Sequence, residues 1–414
     1  MKRRSSDRER GVVVVLFSLA LVCLLLAAGM VVDLGLAYVT RGRLTKAVDA
    51  GALAGARESS RSNTDIETIV RKVASANYTQ ILDTSYDVAI TTPATDTKRI
   101  AISAATESPA IFTRLIGRES YDVVAAAEAM RYPLDTSFVL DLSYSLQRNN
   151  AFDDMQDASV AFLEHFDDSI DQFGLVTYST WAEERMPLRK NFKAPMATDI
   201  RTRTAISDTN IDEGLRLAKR QLDNTALRDN AVRIVVLFTD GRPTAFGDTF
   251  ALPSGTTPRT YNGIVASYIS GSSHRGLFRA TDGFKVIRFA SGAPVTASNG
   301  SSTATAASAM PARLPDGSTT NGTNIRRLGT SQSEQWANEI RAAGYTIYTI
   351  GLGSLTATDP GDQPDLDFLR RIANENGIVS ASQPAGAMLF APSPDALEAV
   401  FAKLADRILT RLTR

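Results

Sequence analysis

The sequence has very few of the residues that build disulfides and soft metal sites. It contains one cysteine, Cys23, and two histidines, His165 and His274, among 414 residues. A single cysteine excludes an internal disulfide and any cysteine-based metal site. The two histidines lie too far apart in sequence to suggest a histidine-rich site. The fold must therefore be stable without covalent or zinc cross-links.

An excess of charge of one sign is also lacking. Lys and Arg together number 45, as do Asp and Glu, so the formal net charge is zero. This balance argues against a nucleic-acid-binding protein, which needs a broad cationic face. Hydrophobic residues make up 43% and charged residues 22% of the chain, as in ordinary folded proteins, which excludes wholesale disorder.

One long apolar run predicts a membrane span over residues 12–32. No charged residue occurs from Val12 to Val32, and a helix of that length is about 30 Å long, the thickness of the hydrocarbon core of a bilayer. By the positive-inside rule, the basic residues of the tail 1–11 keep it cytoplasmic. We expect a single-pass protein of the inner (cytoplasmic) membrane with a periplasmic or extracellular body. The basic residues of the tail are Lys2, Arg3, Arg4, Arg8 and Arg10.

Two other fates of this amino-terminal segment stay open. A cleaved signal peptide is one, although the apolar run exceeds a usual signal and Ala27-Ala28-Gly29 is a mediocre cleavage site. A prepilin-type leader ending at Gly11 is the other. Such leaders carry Glu five residues later, where this chain has Leu16.

Residues 33–60 are expected to continue as a helix with small side chains along one face. The small residues Ala47, Gly51 and Gly55 recur four positions apart, a spacing that lets helices approach closely. The alternative is an Ala-rich helix that packs on the body of its own chain. Residues 10–60, in particular the Asp33-Leu34-Gly35 step and the tail at 47–54, resemble the amino-terminal module of Flp pilus-assembly proteins of the TadG type. The resemblance implies a role near a tight-adherence pilus and secretion system.

Residues 61–134 predict a small α+β spacer domain. Apolar residues at 66, 69, 70 and 73 share one helical face. Alternating runs at 86–90 and 100–104, with a turn at 92–96, predict a β-hairpin. A short helix at 109–116 and a third strand at 121–129 complete the unit. Its sequence contains no recognisable catalytic or binding motif.

A loop with a carboxylate and two hydroxyls follows the next apolar strand. Residues 137–140 form that strand, and Asp141, Ser143 and Ser145 come next, before a helix from about Phe152. At the carboxyl end of a parallel strand, such a loop can direct three hard oxygens at one centre, and Mg²⁺ prefers oxygen ligands. Alone the motif is weak, because Asp and Ser also cap helices.

Two later segments strengthen the metal interpretation. Thr209 opens a helix, and the apolar strand 232–239 ends at Asp240. These three segments, in this order, resemble the von Willebrand factor A domain, which we expect over residues 135–414. The resemblance implies a doubly wound, Rossmann-like parallel α/β sheet, with a metal-ion-dependent adhesion site at the carboxyl ends of its strands.

The resemblance also implies a role for each residue of the site. Ser143 and Ser145 would bind Mg²⁺, or Mn²⁺ or Ca²⁺, through their hydroxyl oxygens, and Thr209 directly or through water. Asp141 and Asp240 would act largely through water and leave one coordination position for a partner's carboxylate. A first shell with little negative charge keeps the ion electrophilic. The alternative is the same fold with a silent site, whose aspartates cap helices.

A long insertion is expected at about 242–332, because this stretch, rich in Gly, Ser, Thr, Ala and Pro, exceeds a usual connection. Phe284–Phe289 predicts a strand, and Ser298–Ala309 is of low complexity. Its charge is mainly basic, so it could form a basic rim that recruits an acidic partner, or carry scattered charge for solubility. The basic residues are Arg242, Arg259, Arg275, Arg279, Lys285, Arg288, Arg313, Arg326 and Arg327.

These features together predict a membrane-anchored binding protein of a tight-adherence pilus or secretion system, which captures an acidic protein partner. The alternative is a structural pilus-assembly or pseudopilin-like component with a vestigial metal site. No catalytic residue is predicted. A phosphatase of the haloacid-dehalogenase type repeats Asp two positions after the first, where Ser143 stands. Neither histidine lies in a recognisable catalytic motif, so we expect no enzyme.

Overall fold

The chain divides into two compact units, at residues 1–131 and 132–412. The structure is a computed structural model. It describes residues 4–78, 83–92, 96–226, 228, 230–252, 259–267, 274–282, 285–289, 294–297, 311, 313–355 and 363–412. Each unit is described by itself below.

The first unit is built on one very long helix. Its elements are α1 (Arg4–Arg57), α2 (Asn63–Asn77), β1 (Ser85–Thr91), β2 (Lys98–Pro109) and β3 (Ser120–Arg131). Helix α1 has 54 residues and joins the predicted span and its predicted extension without a break. Its most apolar 18-residue window has a mean hydropathy of 3.0 and is only 6% buried, so by length and composition α1 could cross a membrane.

The second half of α1 packs on the rest of its own unit. A Cβ placed on Gly51 would lie 2.9 Å from the carbonyl oxygen of Val70, and one on Gly55 would lie 2.5 Å from Cγ2 of Val70 and 3.2 Å from Cγ2 of Ile100. Val70 lies on α2 and Ile100 on β2. The small residues therefore let α1 approach its own sheet and second helix, as the alternative interpretation expected.

The sheet of the first unit is antiparallel, in the order β1-β2-β3. Ile90 pairs with Ile100, and Ile102 pairs with Ala127, so the two strands of the predicted hairpin and the third strand are present. Residues 93–95 of the expected turn lie outside the described residues. Alternate residues of β2, including Ile100 and Ile102, are buried against α1 and α2. A short 3₁₀ helix, Thr113–Ile116, stands where a helix at 109–116 was expected.

The second unit alternates strands and helices. In chain order it contains β4 (Leu134–Asp141), α3 (Tyr144–Arg148), α4 (Phe152–Glu164), β5 (Gln172–Tyr178), β6 (Ala182–Arg189), α5 (Lys193–Arg201), α6 (Ile211–Asn224), β7 (Val232–Thr239), β8 (Ala245–Leu252), β9 (Arg259–Ser267), β10 (His274–Arg279), β11 (Lys285–Phe289), β12 (Pro294–Ala297), α7 (Gly322–Ala342), β13 (Thr346–Leu352), α8 (Leu366–Ala373), β14 (Ala387–Ala391) and α9 (Leu397–Leu412).

Its main sheet has six strands in the order β14-β13-β7-β4-β5-β6. Every pair is parallel except β5 with the edge strand β6. The order reverses at β4, the first strand, so the sheet is doubly wound, and a crevice forms where strand order reverses. The predicted fold class is confirmed.

Helices cover both faces of this sheet, because neighbouring residues of its buried strands point to opposite sides. On one face, Phe138 of β4 packs against Phe162 of α4 and Phe401 of α9, with the Phe162 ring centroid 5.4 Å from each of the other two. On the other face, Val139 belongs to a core with Leu215 of α6. The carboxyl ends of the strands remain open for a site.

The insertion between β7 and α7 contains a second, five-stranded antiparallel sheet in the order β12-β11-β10-β9-β8. The strand expected at Phe284–Phe289 is β11. The low-complexity segment Ser298–Ala309 lies outside the described residues. Helix α7 begins at Gly322, inside the stretch of about 242–332 that was expected to be insertion, and Asn321 caps it by accepting a hydrogen bond from the Asn324 backbone N–H at 2.9 Å. The insertion is correspondingly shorter than expected at its carboxyl end.

Candidate metal site

Strand β4 delivers Asp141 to the carboxyl edge of the main sheet. One carboxylate oxygen accepts a hydrogen bond from the backbone N–H of Ser143 at 2.8 Å, which turns the chain out of the strand. The other accepts hydrogen bonds from the hydroxyls of Thr239 at 2.7 Å and Tyr178 at 3.2 Å. Asp141 is fully buried and is held from both neighbouring strands, β7 and β5.

The hydroxyls of Ser143 and Ser145 meet the carboxylate of the second aspartate, Asp240. The Oγ atoms of Ser143 and Ser145 lie 2.9 Å apart. Oδ1 of Asp240 lies 2.7 Å from Oγ of Ser145 and 3.4 Å from Oγ of Ser143. Its other oxygen, Oδ2, is buried and has no hydrogen-bond partner among the described residues. Four of the five predicted residues are therefore joined by hydrogen bonds.

Thr209 lies beside this group, in the loop before α6. A Cβ placed on Gly241 would lie 3.8 Å from Oγ1 of Thr209, so the threonine hydroxyl faces the backbone next to Asp240. The sequence suggested that Thr209 opens the helix. In the structure Asn210 is the capping residue of α6, and Thr209 lies one position before it. The backbone N–H of Thr209 donates to the hydroxyl of Thr244 at 2.9 Å.

Burial raises the pKa of both carboxyls of the site. For Asp240, the neighbouring charge of Asp141 raises the pKa further, while the serine hydroxyls lower it. For Asp141, hydrogen bonds from Thr239, Ser143 and Tyr178 oppose the effect of burial. Two buried carboxylates that repel each other favour either a proton or a cation between them.

The donor set suits a hard divalent cation. It consists of hydroxyl and carboxylate oxygens only, as Mg²⁺ and Mn²⁺ prefer. In the part of the chain that the structure describes, no group of three or more His, Cys, Asp or Glu side chains comes together that could hold a metal. A metal at Asp141 and Asp240 would therefore also need the hydroxyls of Ser143, Ser145 and Thr209 as ligands. Oδ2 of Asp240, which has no partner among the described residues, could face such an ion.

Family comparisons agree with the arrangement of both units. Residues 136–242 match the model of the von Willebrand factor type A domain, and residues 11–58 match that of the Flp pilus-assembly TadE/G-like family. The chain carries a von Willebrand A domain behind a TadE/G-like module. Both resemblances seen in the sequence are confirmed. Neither family description is that of an enzyme.

Solved structures similar to the chain are distant, and no curated protein sequence matches it. The vWF domain of the type V pili tip protein Mfa5 from Porphyromonas gingivalis is 16% identical, with 69% of this chain and 97% of that chain covered and a TM-score of 0.43. The PilB minor pilin from Streptococcus sanguinis is 13% identical, with 80% and 79% covered and a TM-score of 0.40. Proximal thread matrix protein 1 from the mussel byssus is 16% identical, with 68% of this chain and 47% of that chain covered and a TM-score of 0.37. This chain therefore spans less than half of that protein.

The inserted sheet of the von Willebrand A domain is tied to the loop that carries Thr209. Arg275 of β10 forms an ion pair with Asp208 at 3.0 Å, and it also donates to the hydroxyl of Ser207. Asp208 is buried, which raises the pKa of its carboxyl, whereas Arg275 and a hydrogen bond from Thr180 counteract that shift. No local pattern predicts this contact, because Asp208 and Arg275 are distant in the chain.

The predicted basic rim of the insertion is partly neutralised. Arg275 pairs with Asp208, Arg279 with Asp282, and Arg327 with Asp316. Arg242 is exposed directly after the Asp240-Gly241 turn. The side chains of Arg259, Lys285 and Arg288 lie outside the described part of the structure. The positive charge nearest to the site in sequence is therefore that of Arg242.

A groove lies beside Asp240 in the von Willebrand A domain. It has a volume of about 270 Å³ and runs along the ends of β7, β13 and β14. Residues from three loops line it together with Asp240, among them Asn149, Gly353 and Pro394.

Two residues that orient the site were missed in the sequence. Thr239 and Tyr178 both donate to Asp141, and Tyr178 also donates to the carbonyl oxygen of Phe238 at 3.0 Å. Thr239 is the last residue of β7, the strand expected at 232–239, and Tyr178 is the last residue of β5. A polar residue ending an apolar strand next to the Asp141 strand was the available signal.

Proposed function

We propose that this chain is a membrane-anchored envelope protein of a tight-adherence pilus or secretion system, and that its von Willebrand A domain binds an acidic protein partner through Mg²⁺. The observation that carries the proposal is the buried Oδ2 of Asp240, which has no hydrogen-bond partner in the described part of the chain and lies in the group formed with Ser143, Ser145 and Asp141. An orphaned buried carboxylate oxygen costs free energy unless a cation or proton satisfies it.

Each residue of the site has a role in this proposal. Ser143, Ser145 and Thr209 would supply neutral oxygens to the ion, while Asp141 and Asp240 would hold it through charge and water. When bound, the ion supplies an electrophilic centre that attracts a carboxylate of the partner. Thr239 and Tyr178 keep Asp141 oriented. The proposal includes no catalytic step.

The anchor in this proposal is α1. Its apolar part at residues 12–32 would span the inner membrane, with residues 1–11 cytoplasmic and both folded units exported. The TadE/G-like match over residues 11–58 supports this placement in the envelope. The association with pilus machinery rests on the same match.

A Mn²⁺ titration of the full-length chain in detergent micelles tests the metal role. Mn²⁺ is a paramagnetic substitute for Mg²⁺, so free and bound ions are counted by electron paramagnetic resonance. We expect one saturable site in the wild type and an affinity about 10- to 100-fold lower in Asp141→Ala, because a residue that orients metal ligands typically contributes that factor. Asp157→Ala is the matched control, since Asp157 is exposed on α4 and pairs only with the exposed Arg201 among the described residues.

The same proteins test capture of the partner. The wild type, immobilised and exposed to an envelope extract, should retain a partner that a chelator releases, and Asp141→Ala should not retain it. Absence of saturable Mn²⁺ binding, or equal binding by wild type and Asp141→Ala, would contradict the metal role. Normal pilus assembly in cells that produce Asp141→Ala would favour the structural alternative with a vestigial site.

A further inference from the structure

The loop that joins β2 to β3, residues 110–119, is fastened to α1 by one buried carboxylate. Oδ1 of Asp33 accepts hydrogen bonds from the backbone N–H groups of Ile111 at 3.0 Å and Phe112 at 3.3 Å. Oδ2 accepts from the N–H groups of Phe112 at 3.0 Å and Thr113 at 2.7 Å, and from the Thr113 hydroxyl at 2.8 Å. This 110–119 loop is therefore fixed at one level of the helix.

That level is the end of the apolar run of α1. Asp33 is the first charged residue after Val12–Val32. Gly29, inside the run, contacts the loop, since a Cβ placed there would lie only 2.5 Å from Cβ of Phe112. Four helical residues correspond to about 6 Å, so Phe112 lies about one turn inside the apolar run.

Strands β2 and β3 form an antiparallel pair, called the β2-β3 hairpin here, which reaches this level because it runs along α1. Strands β2 and β3 have 12 residues each, about 40 Å, and α1 from Asp33 to Arg57 is about 36 Å long. The other end of the hairpin lies beyond the end of the helix, where Nζ of Lys98 donates to the carbonyl oxygen of Ser59 at 2.8 Å. The 110–119 loop is thus the end of the hairpin at the apolar run.

The tip of the 110–119 loop is apolar and exposed. Ile111 is 58% exposed, Leu115 81% and Ile116 58%, and Phe112 is also exposed on one side. Leu115 and Ile116 lie in the single 3₁₀ turn, and Ile111 and Phe112 directly precede it, so the four side chains form one small patch. A contiguous apolar patch on the surface marks contact with a membrane or a partner.

Basic and aromatic residues surround the patch. Arg114 and Arg118 are exposed, and the guanidinium of Arg118 lies 4.2 Å from the ring centroid of Tyr121. The hydroxyl of Tyr121 lies 3.0 Å from Oγ1 of Thr113. The loop also contains the exposed Glu119, so its net charge is positive by one. Aromatic and basic residues around an apolar patch are typical of segments at a lipid interface.

We infer that the 110–119 loop is a second membrane contact of this chain. Leu115 and its apolar neighbours enter the acyl boundary of the bilayer that α1 spans, and Arg114 and Arg118 face lipid phosphates. This inference rests on the membrane anchor of the proposed function. The bilayer is the favoured occupant, because any bilayer spanned by residues 12–32 surrounds Gly29, which the loop contacts. The loop thereby fixes the depth and rotation of α1 and holds the first unit against the membrane surface.

Site-directed spin labelling of the full-length chain tests the inference. The chain is reconstituted in vesicles of phosphatidylcholine and phosphatidylglycerol, and a nitroxide is attached to a single cysteine. The test position is Leu115→Cys in a Cys23→Ser background, and its high exposure means that the fold should tolerate the change. Native Cys23, inside the apolar run, is the control for the anchor. Ala126→Cys, an exposed position on β3 about 20 Å along the strand from Ser120, is the control for water.

Accessibility to oxygen, which concentrates in lipid, is compared with accessibility to a water-soluble nickel chelate. We expect the label at position 115 to favour oxygen, as at Cys23, and the label at position 126 to favour the nickel chelate. A label at 115 that favours the chelate, with Cys23 in lipid, overturns the second contact and leaves the anchor intact. A label at 115 shielded from both reagents overturns it in favour of a protein partner or a second copy. A label at Cys23 that favours the chelate overturns the anchor itself.

Discussion

Asp240→Asn should weaken Mn²⁺ binding by about 100-fold and at the same time stabilise the metal-free protein. Without a cation, one buried oxygen of Asp240 has no partner among the residues that the structure describes, and the charge of a second buried carboxylate, Asp141, acts on it. Asparagine removes the charge and the repulsion, while its amide can still bond to Ser145. Because burial and the charge of Asp141 raise the pKa of Asp240, its ionised carboxylate makes folding less favourable at neutral and higher pH, so we expect a gain in unfolding free energy of about 1 kcal/mol or more.

Tryptophan fluorescence is a suitable measurement of this gain. The chain has two tryptophans, Trp181 and Trp336, and both lie in the second unit, so thermal unfolding followed at these residues in the presence of a chelator reports the von Willebrand A domain alone. Asp157→Asn, at an exposed position, should change neither stability nor binding. An Asp240→Asn protein that is less stable than wild type without metal, yet binds Mn²⁺ normally, would show that Asp240 serves the fold alone.

Gly55→Leu should unfold the packing between α1 and α2 in the first unit. The new side chain would start 2.5 Å from Cγ2 of Val70 and 3.3 Å from Cγ2 of Ile66. Overpacking of this kind lowers the free energy of unfolding by about 1–3 kcal/mol. Because the contact is among the closest in the unit, we expect a loss of about 2 kcal/mol. Amide hydrogen exchange in α2 of the full-length chain should then accelerate about 30-fold.

Gly42→Leu, on the same helix α1, is the matched control for this prediction. A Cβ at Gly42 would meet no heavy atom of the described residues within 4 Å. Its effect on exchange in α2 should be small. Unchanged protection of α2 in Gly55→Leu, together with loss of pilus assembly, would instead support the hypothesis that the small residues contact another helix of the machinery.

The main sheet and its site were predictable because their signals are local. Residues 138–140 and 234–238 are unbroken apolar runs; Asp141 follows the first directly, and Asp240 follows the second after Thr239. In a parallel sheet these positions lie on one edge, and β4 and β7 are neighbours. The meeting of Asp240 with Ser143 and Ser145 therefore follows from strand order, which the family resemblance supplied.

The insertion was not predictable in the same way. Its strands β8 and β9 contain Gly247 and Gly263, which lower the β-propensity that a single sequence reveals. The start of α7 was missed because Gly322, Thr323 and Asn324 are poor helix formers. Tertiary packing overrides this preference, since Gly329 of the same helix lies against Pro243 and Ala245, where a Cβ would come within 3.1 Å of both.

The link between the insertion and Thr209 depends on the same long-range packing. The backbone N–H groups of Thr244 and Ala245 donate to the carbonyl oxygen of Thr209 at 2.9 Å and 3.3 Å. Oδ2 of Asp212 accepts a hydrogen bond from the Gly247 N–H at 3.0 Å. The first strand of the inserted sheet thus fixes the loop of Thr209, and no local pattern in the sequence encodes such pairings.

Anomalous X-ray scattering from crystals of the full-length chain grown with MnCl₂ would test the account most directly. We predict a manganese peak about 2 Å from the hydroxyl oxygens of Ser143 and Ser145, on the side of Asp240. Crystals of Asp240→Asn should lack that peak. Manganese bound only at other positions, or no ordered manganese in well-diffracting wild-type crystals, would contradict recognition through a metal ion.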